Sequence, residues 1–259
     1  MKKIIAIVMA TLLCMSLFAA CGNNNAPANN NNDTGLTTLT AGKLVMSTNA
    51  EFPPYEMTDD AGNYIGIDVE IATAIAKKLN LELEILDIDF DAALLAVQEG
   101  KSDIVMAGVT VNDDRKLVMN FSDTYATGKQ VVIVKEGSDV TLDNLGEKMI
   151  GTQRGTTGNI YASDDYGEEH VMAYDNGATA VQFLVNGQVD CVIIDNAPAQ
   201  EYVKANAGLK ILETEYVVED YAIGIAKNNI ALKDAINTAL AELIADGTVQ
   251  GIIDKYIAA

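Results

Sequence analysis

The sequence is poor in positive charge and in metal-ligating side chains. It has 17 Lys and Arg against 37 Asp and Glu, a formal charge of −20, one His, three Cys and no Trp. Each shortage excludes something. Without a basic face the chain cannot replace the counterions of a nucleic acid, so no nucleic-acid partner is expected. One His and three Cys do not build a common closed zinc site unless carboxylates supply ligands, and no metal or other cofactor is expected. Charged residues make up only 21% and hydrophobic ones 49%, which is too apolar for a disordered chain. At 259 residues the chain suits one large domain or two small ones.

The N-terminal residues are not read as fold. Met1-Lys2-Lys3 is a basic start, and residues 4–20 carry no charge and are almost wholly apolar. This is the pattern of a secretory signal peptide over residues 1–20. A transmembrane anchor is the alternative, since the run approaches the roughly 18 residues of a span candidate. Leu17-Phe18-Ala19-Ala20-Cys21-Gly22 follows at once and resembles a bacterial lipobox, which implies that Cys21 is lipidated and becomes the mature N-terminus. The aliphatic residue usual three before the Cys is Phe18 here. Cys14 leaves with the signal and Cys21 carries lipid, so Cys191 has no partner and no disulfide is expected. Residues 21–40 read as a tether, with seven Asn between positions 23 and 32 and too few apolar groups to offset the entropy of ordering. Removing residues 1–20 takes two basic residues and no acidic one, so the mature charge becomes −22. An anionic body is repelled by anionic lipid, which leaves the lipid on Cys21 to hold it at the cell membrane, on the surface or in the periplasm.

From Lys43 short apolar runs alternate with helical periods. Strands are predicted at 44–46, 81–85, 103–106, 130–134, 148–151, 170–174, 190–194 and 221–226. Between them fall helices near 68–79, 91–98, 156–163, 178–185 and 196–206, with Asp68 as the N-cap of the first. Two helices close the chain. Leu232, Ala235, Ile236, Ala239, Leu240 and Leu243 form one apolar stripe, and Gly247 separates it from 249–257. The order predicts an α/β fold with parallel strands and right-handed crossovers. Two lobes are expected, residues 41–127 plus 222–259 and residues 128–221, with the chain crossing near 127–129 and 219–221.

In open parallel sheets ligands sit beyond the carboxyl ends of the strands. Asn49-Ala50-Glu51-Phe52-Pro53-Pro54-Tyr55 follows the first strand. Ala107-Gly108-Val109-Thr110 follows the third, with Arg115 beyond it. Gln153-Arg154-Gly155-Thr156-Thr157-Gly158 and Asp195-Asn196 follow two later ones. Arg115 can pair bidentately with a carboxylate, a planar match that Lys lacks; its plain alternative is a surface Arg paired with Asp113 and Asp114. Thr156 and Thr157 stand at a helix start, where free N–H groups and the dipole favour an anion, or one of them merely caps the helix. Asp195 suits an ammonium group, or caps the helix at Asn196. Paired carboxylates at a persuasive spacing for hydrolysis are not visible.

These stretches, with Gly66-Ile67-Asp68-Val69 and Phe121-Ser122, resemble the extracellular solute-binding proteins of polar amino acid ABC transporters, the family of the lysine/arginine/ornithine, histidine and glutamine receptors. Each motif is weak alone; together and in order they are strong, and they cover nearly all of 43–256. The resemblance implies a periplasmic-binding-protein (Venus flytrap) fold of type II, with two lobes joined by two hinge strands and closing on one amino acid. It implies a backbone clamp of Gly108, Thr110, Arg115, Thr156, Thr157 and Asp195, with Ala107 also among the ligand-binding residues, and a side-chain site of Asn49, Glu51, Phe52, Tyr55, Phe90 and Gln153. Phe52 and Phe90 stand where family members sandwich the ligand side chain, with ordinary core as their plain alternative; Tyr55 is ordinary core or only walls the pocket. Asn49 replaces the Asp of cation-binding members, which favours a neutral polar ligand such as glutamine unless Glu51 points inward. The expected protein is a non-catalytic monomer that delivers a polar L-amino acid to an ABC permease. The competing class is an enzyme on the same scaffold, such as a cyclohexadienyl dehydratase, with Glu51 as its extra acid or base.

Overall fold

A computed structural model of the protein describes residues 36–212 and 216–257. The expected signal peptide and Cys21 lie outside the described residues, as does most of the expected tether. Among the described residues no helix is long and apolar enough to cross a membrane.

The chain opens with β1 (Lys43–Thr48), a small antiparallel sheet of β2 (Glu51–Phe52), β3 (Glu56–Thr58) and β4 (Tyr64–Ile65), then α1 (Ile67–Lys78), β5 (Glu82–Asp87), α2 (Phe90–Gln98), β6 (Ile104–Val105) and α3 (Asp113–Val118). The 17-residue strand β7 (Met119–Lys135) follows. Beyond it come β8 (Ile150–Gln153), α4 (Thr157–Tyr166), β9 (Val171–Tyr174), α5 (Gly177–Val185), β10 (Cys191–Asp195), α6 (Asn196–Ala205), β11 (Leu209–Ile211) and β12 (Val217–Ala226). The helices α7 (Ile230–Ala245) and α8 (Thr248–Tyr256) close the chain.

The main sheet has the order β5-β1-β6-β12-β7-β10-β8-β9, with β11 also on β7. Its two ends are parallel: β1 pairs with β5 and β6, and β8 pairs with β10 and β9. Its middle is antiparallel, because β12 pairs with β6 and β7, and β7 with β10. The strand β7 joins the two parallel groups. Its first part, Met119 to Gln130, pairs with β12, and Gln130 to Val134 pairs with β10.

Both faces of the sheet are covered, as parallel strands require. Alternate residues of β7 show it: Val131 and Ile133 pack with Val181, Leu184 and Ile194, whereas Val132 and Val134 pack with Leu145, Ile150 and Cys191. At the other end Ile104 packs with Leu44, Ile71 and Leu240, and its neighbour Val105 with Phe90, Leu94 and Met119. Each fully buried side chain of this size contributes about 1.5–3 kcal/mol. Cys191 is a free, buried thiol pushed up to about 12 by burial, and acts as a small core hydrophobe.

Three local readings change. The strand expected at 130–134 is only the end of β7, because the polar residues of 119–129 mask a ladder made with β12. The last strand likewise begins at Val217, not 221. Asp68 does not cap α1. The helix begins at Ile67, with Gly66 at φ +127° as its N-cap, where a Cβ would lie 2.3 Å from the Tyr55 carbonyl oxygen. Asp68 points inward instead and accepts the Gly108 N–H at 2.9 Å.

Candidate functional site

Two sets of strand ends meet at a cleft. On the first side β1 ends next to Asn49 and Phe52, and β6 runs into Ala107, Gly108 and Thr110. The short helix α3 is capped by Asn112, whose side chain accepts the Arg115 N–H at 2.8 Å. That cap aims Arg115 back into the cleft, where the side chain is 7% exposed. Its Nη1 donates to the Thr110 carbonyl at 2.8 Å, and its guanidinium carbon lies 5.5 Å from the centre of the Phe90 ring. Burial pulls the guanidinium down to about 10, against the opposing pull of the Glu219 charge, so it is cationic at neutral pH.

On the second side β8 ends in Gln153 and turns through Gly155, at φ +74°, into α4. Thr156 caps that helix, accepting the Asn159 N–H at 3.2 Å, and its own hydroxyl donates to the Gln153 carbonyl at 2.8 Å. Thr157 is the first residue of α4 and is buried. The start of α4, through Thr156 and Thr157, thus lines the same cavity as Arg115, and a helix start is a setting for an anion.

The two sides touch. Arg115 Nη2 donates to the Gly155 carbonyl at 3.1 Å, the Thr110 and Thr157 hydroxyls are 3.3 Å apart, and Gln153 Nε2 donates to Asn49 Oδ1 at 2.8 Å. Between them remains a cavity of about 20 Å³ for the centre of a water molecule, room for about one.

The lining brings together ten of the thirteen residues expected there: Asn49, Phe52, Phe90, Ala107, Gly108, Thr110, Arg115, Gln153, Thr156 and Thr157. Three are placed differently. Glu51 is exposed at the rim, where its carboxylate accepts Asn176 Nδ2 at 2.8 Å and its carbonyl accepts the Tyr202 hydroxyl. It does not point inward, because successive residues of β2 face opposite ways. Tyr55 is 2% exposed and packs behind the lining, stacked on Phe52 and edge-on to Tyr221. Asp195 lies behind Tyr221: its Oδ2 accepts the Tyr221 hydroxyl at 2.8 Å and the Lys129 N–H at 2.9 Å, and its Oδ1 accepts the Ala197 N–H as the cap of α6. Burial raises Asp195 to about 6 although these three donors pull it down.

Three lining residues escape the sequence reading: Glu56, Gln130 and Tyr221. Gln130 and Tyr221 lie on β7 and β12, the strands that join the two sides, and Gln130 Nε2 donates to Glu219 Oε2 at 2.9 Å. Tyr221 lies within one expected crossing, and Gln130 one residue past the other. Glu56 follows Phe-Pro-Pro-Tyr directly, and nothing in its sequence setting separates it from a solvated strand residue.

With this geometry the chain can be set beside known proteins. Residues 44–259 match the bacterial extracellular solute-binding proteins, family 3. The chain belongs to this family. This solute-binding protein is 34% identical over 267 aligned positions to a probable histidine-binding protein of Neisseria gonorrhoeae, covering 100% of the chain and 96% of that relative. Among solved structures it is similar to an ancestral arginine-binding protein bound to glutamine, with a TM-score of 0.80 and 39% identity over 85% of this chain and 100% of the other. An ancestral arginine-binding protein bound to arginine gives 0.79 and 40%, over 84% and 99%. The two-lobe periplasmic-binding-protein fold implied by the family resemblance is the fold of this solute-binding protein.

Proposed function

We propose that this protein captures a polar L-amino acid between two lobes, residues 41–127 plus 222–259 and residues 128–221, and delivers it without catalysis to the permease of an ABC transporter. The buried Arg115 at the mouth of α4 carries this reading: an α-carboxylate that takes its two Nη groups and the α4 N–H groups replaces the bonds Arg115 makes to Thr110 and Gly155. The Gly108 carbonyl and the Thr110 hydroxyl offer acceptors for the ammonium, and Asp195 supplies negative charge through Tyr221. Only such bridging across the cleft favours the closed form. Relatives named for histidine and arginine support the ligand class.

The side-chain end of the site is formed by two amides, Asn49 and Gln153. With Glu51 turned to the rim, this neutral pair favours a neutral polar side chain such as that of glutamine over a cationic one. Cys21 serves as the lipid anchor that holds the otherwise monomeric body at the outer face of the cell membrane. The dehydratase alternative loses its proposed acid, since Glu51 is bonded to Asn176 outside the cavity.

The deciding experiment is a thermal-shift screen of the body from residue 36 against the common amino acids, with prephenate and arogenate turnover assayed in parallel. Selective stabilisation by one polar amino acid is expected, by mass action. Turnover, or no shift with any amino acid, rejects the reading. Metabolic labelling of the full chain with a fatty acid, lost in Cys21→Ser, tests the anchor.

A further inference from the structure

Beneath the cleft four side-chain oxygens are buried without a hydrogen-bond partner: both carboxyl oxygens of Glu56, Asp68 Oδ1 and the Tyr125 hydroxyl. Glu56 and Asp68 are fully buried, and Glu56 lines the cavity. They come from separate elements, β3, α1 and β7, and the fold brings Glu56 and Tyr125 within reach of the Asp68 carboxyl. The second oxygen of Asp68 is engaged: it accepts the N–H of Gly108, whose backbone forms the cleft wall at φ +54°. A Cβ at Gly108 would lie 3.0 Å from the Phe52 ring, so this wall is closely fitted.

Two ionised carboxylates here have no ion-pair partner, since Arg115, the cation that lines the same cavity, directs its Nη groups to the Thr110 and Gly155 carbonyls. The charges acting on Glu56 are those of Asp68, Asp87 and Asp195, all negative, and the other titratable groups around it are the neutral rings of Tyr55, Tyr125 and Tyr202. An uncompensated buried charge costs several kcal/mol, whereas one proton between two acids removes a charge and turns an acceptor into a donor.

We propose that Glu56 and Asp68 hold a single proton between them, and that Glu56 is thereby a positioning residue for the amino-acid cleft. Neutral Glu56 donates to Asp68 Oδ1, the Tyr125 hydroxyl donates to the same carboxylate, and Asp68 Oδ2 holds the Gly108 N–H and with it the wall that the ligand meets. Burial, then the Asp68 charge, pushes Glu56 well above the ordinary carboxyl range, and burial raises Asp68 to about 6. Because both acids are raised in the folded protein, their contribution is complete at acid pH and is lost as pH rises through the upper titration of the pair. Losing the proton sets two charges against each other under Gly108 and loosens the wall.

The arm concerning affinity rests on the proposed amino-acid function; the other two do not. Infrared spectra of the folded protein at neutral pH are expected to show the carbonyl stretch of a neutral carboxylic acid, absent in Glu56→Gln. The melting temperature of the wild type is expected to fall as pH rises above neutrality, and calorimetric affinity for L-glutamine to fall about tenfold or more over the same rise. Glu56→Gln, whose amide donates to Asp68 without titrating, gives flat profiles whatever its absolute values. A wild type without the neutral-acid band, or a Glu56→Gln profile parallel to the wild type, overturns the proposal. If L-glutamine does not bind at all, the infrared and melting arms still decide it, and only the ligand reading falls.

Discussion

Arg115 Nη2 and the Gly155 carbonyl meet at 3.1 Å across the cleft, joining a helix that precedes β7 to the turn that opens α4. The same guanidinium holds the Thr110 carbonyl on its own side. One side chain thus ties both walls together at the point where a carboxylate is expected to enter.

Arg115→Ala is expected to abolish amino-acid binding while leaving the body folded. Truncating one partner of a buried, charge-assisted pair costs about 2–5 kcal/mol, or at least about thirtyfold in affinity. Arg115→Lys recovers little, because an ammonium cannot reproduce the planar fork. Calorimetry on variants with native circular dichroism checks this; affinity within threefold of the wild type for Arg115→Ala removes the clamp.

Asn49→Asp is expected to shift preference from a neutral side chain toward arginine or lysine. The change places a carboxylate opposite Gln153, where Asn49 Oδ1 now accepts an amide proton. A cationic side chain gains a partner and a neutral one faces an unbalanced charge, so the ratio of affinities moves by about tenfold or more. Competition between glutamine and arginine reads it directly, and an unchanged ratio places the selectivity elsewhere.

Asp195 links stability to pH. Burial raises it to about 6 in the folded protein, above its value in an unfolded chain. A raised acid stabilises fully below its unfolded pKa and loses that contribution as pH rises through the folded one. The ligand-free protein should therefore lose melting temperature between about pH 4 and about pH 7, to the extent of about 3 kcal/mol from this group. Asp195→Asn removes that part of the slope. Parallel melting curves for the two proteins across the range contradict the linkage.

Gly66→Ala is expected to destabilise by about 1–3 kcal/mol through backbone strain alone, and by more because the new methyl meets the Tyr55 carbonyl at 2.3 Å. The displaced residue then shifts Asp68, the next helix position but one, and with it the Gly108 N–H. Denaturant titration measures the loss, and a midpoint equal to the wild type shows that the helix start relaxes freely.

Much of this was written along the chain. Apolar runs such as Leu44-Val45-Met46 and Val192-Ile193-Ile194 specify buried strands because both their faces are covered, and the stripe through Leu232, Ile236, Leu240 and Leu243 specifies α7 by its period. Residues after strand ends were readable as lining the cleft, since the crevice beyond parallel strands is where walls converge. Family membership was readable too, because its motifs occur in order.

Orientation was not readable, because it depends on neighbours distant in sequence. Glu51 and Phe52 are adjacent, yet one bonds Asn176 at the rim and the other lines the cavity. Asp68 reads as a helix cap and instead reaches Gly108, a contact between positions 40 residues apart. Asp195 reads as both a cap and a ligand, and only the fold places Tyr221 between it and the cleft. Glu56 carries no sequence signal at all, because its chemistry arises from Asp68 and Tyr125 brought beside it by other elements. Local pattern decides which residues form strands, helices and turns; burial and the partners met across the fold decide which of them carry charge, and where they point.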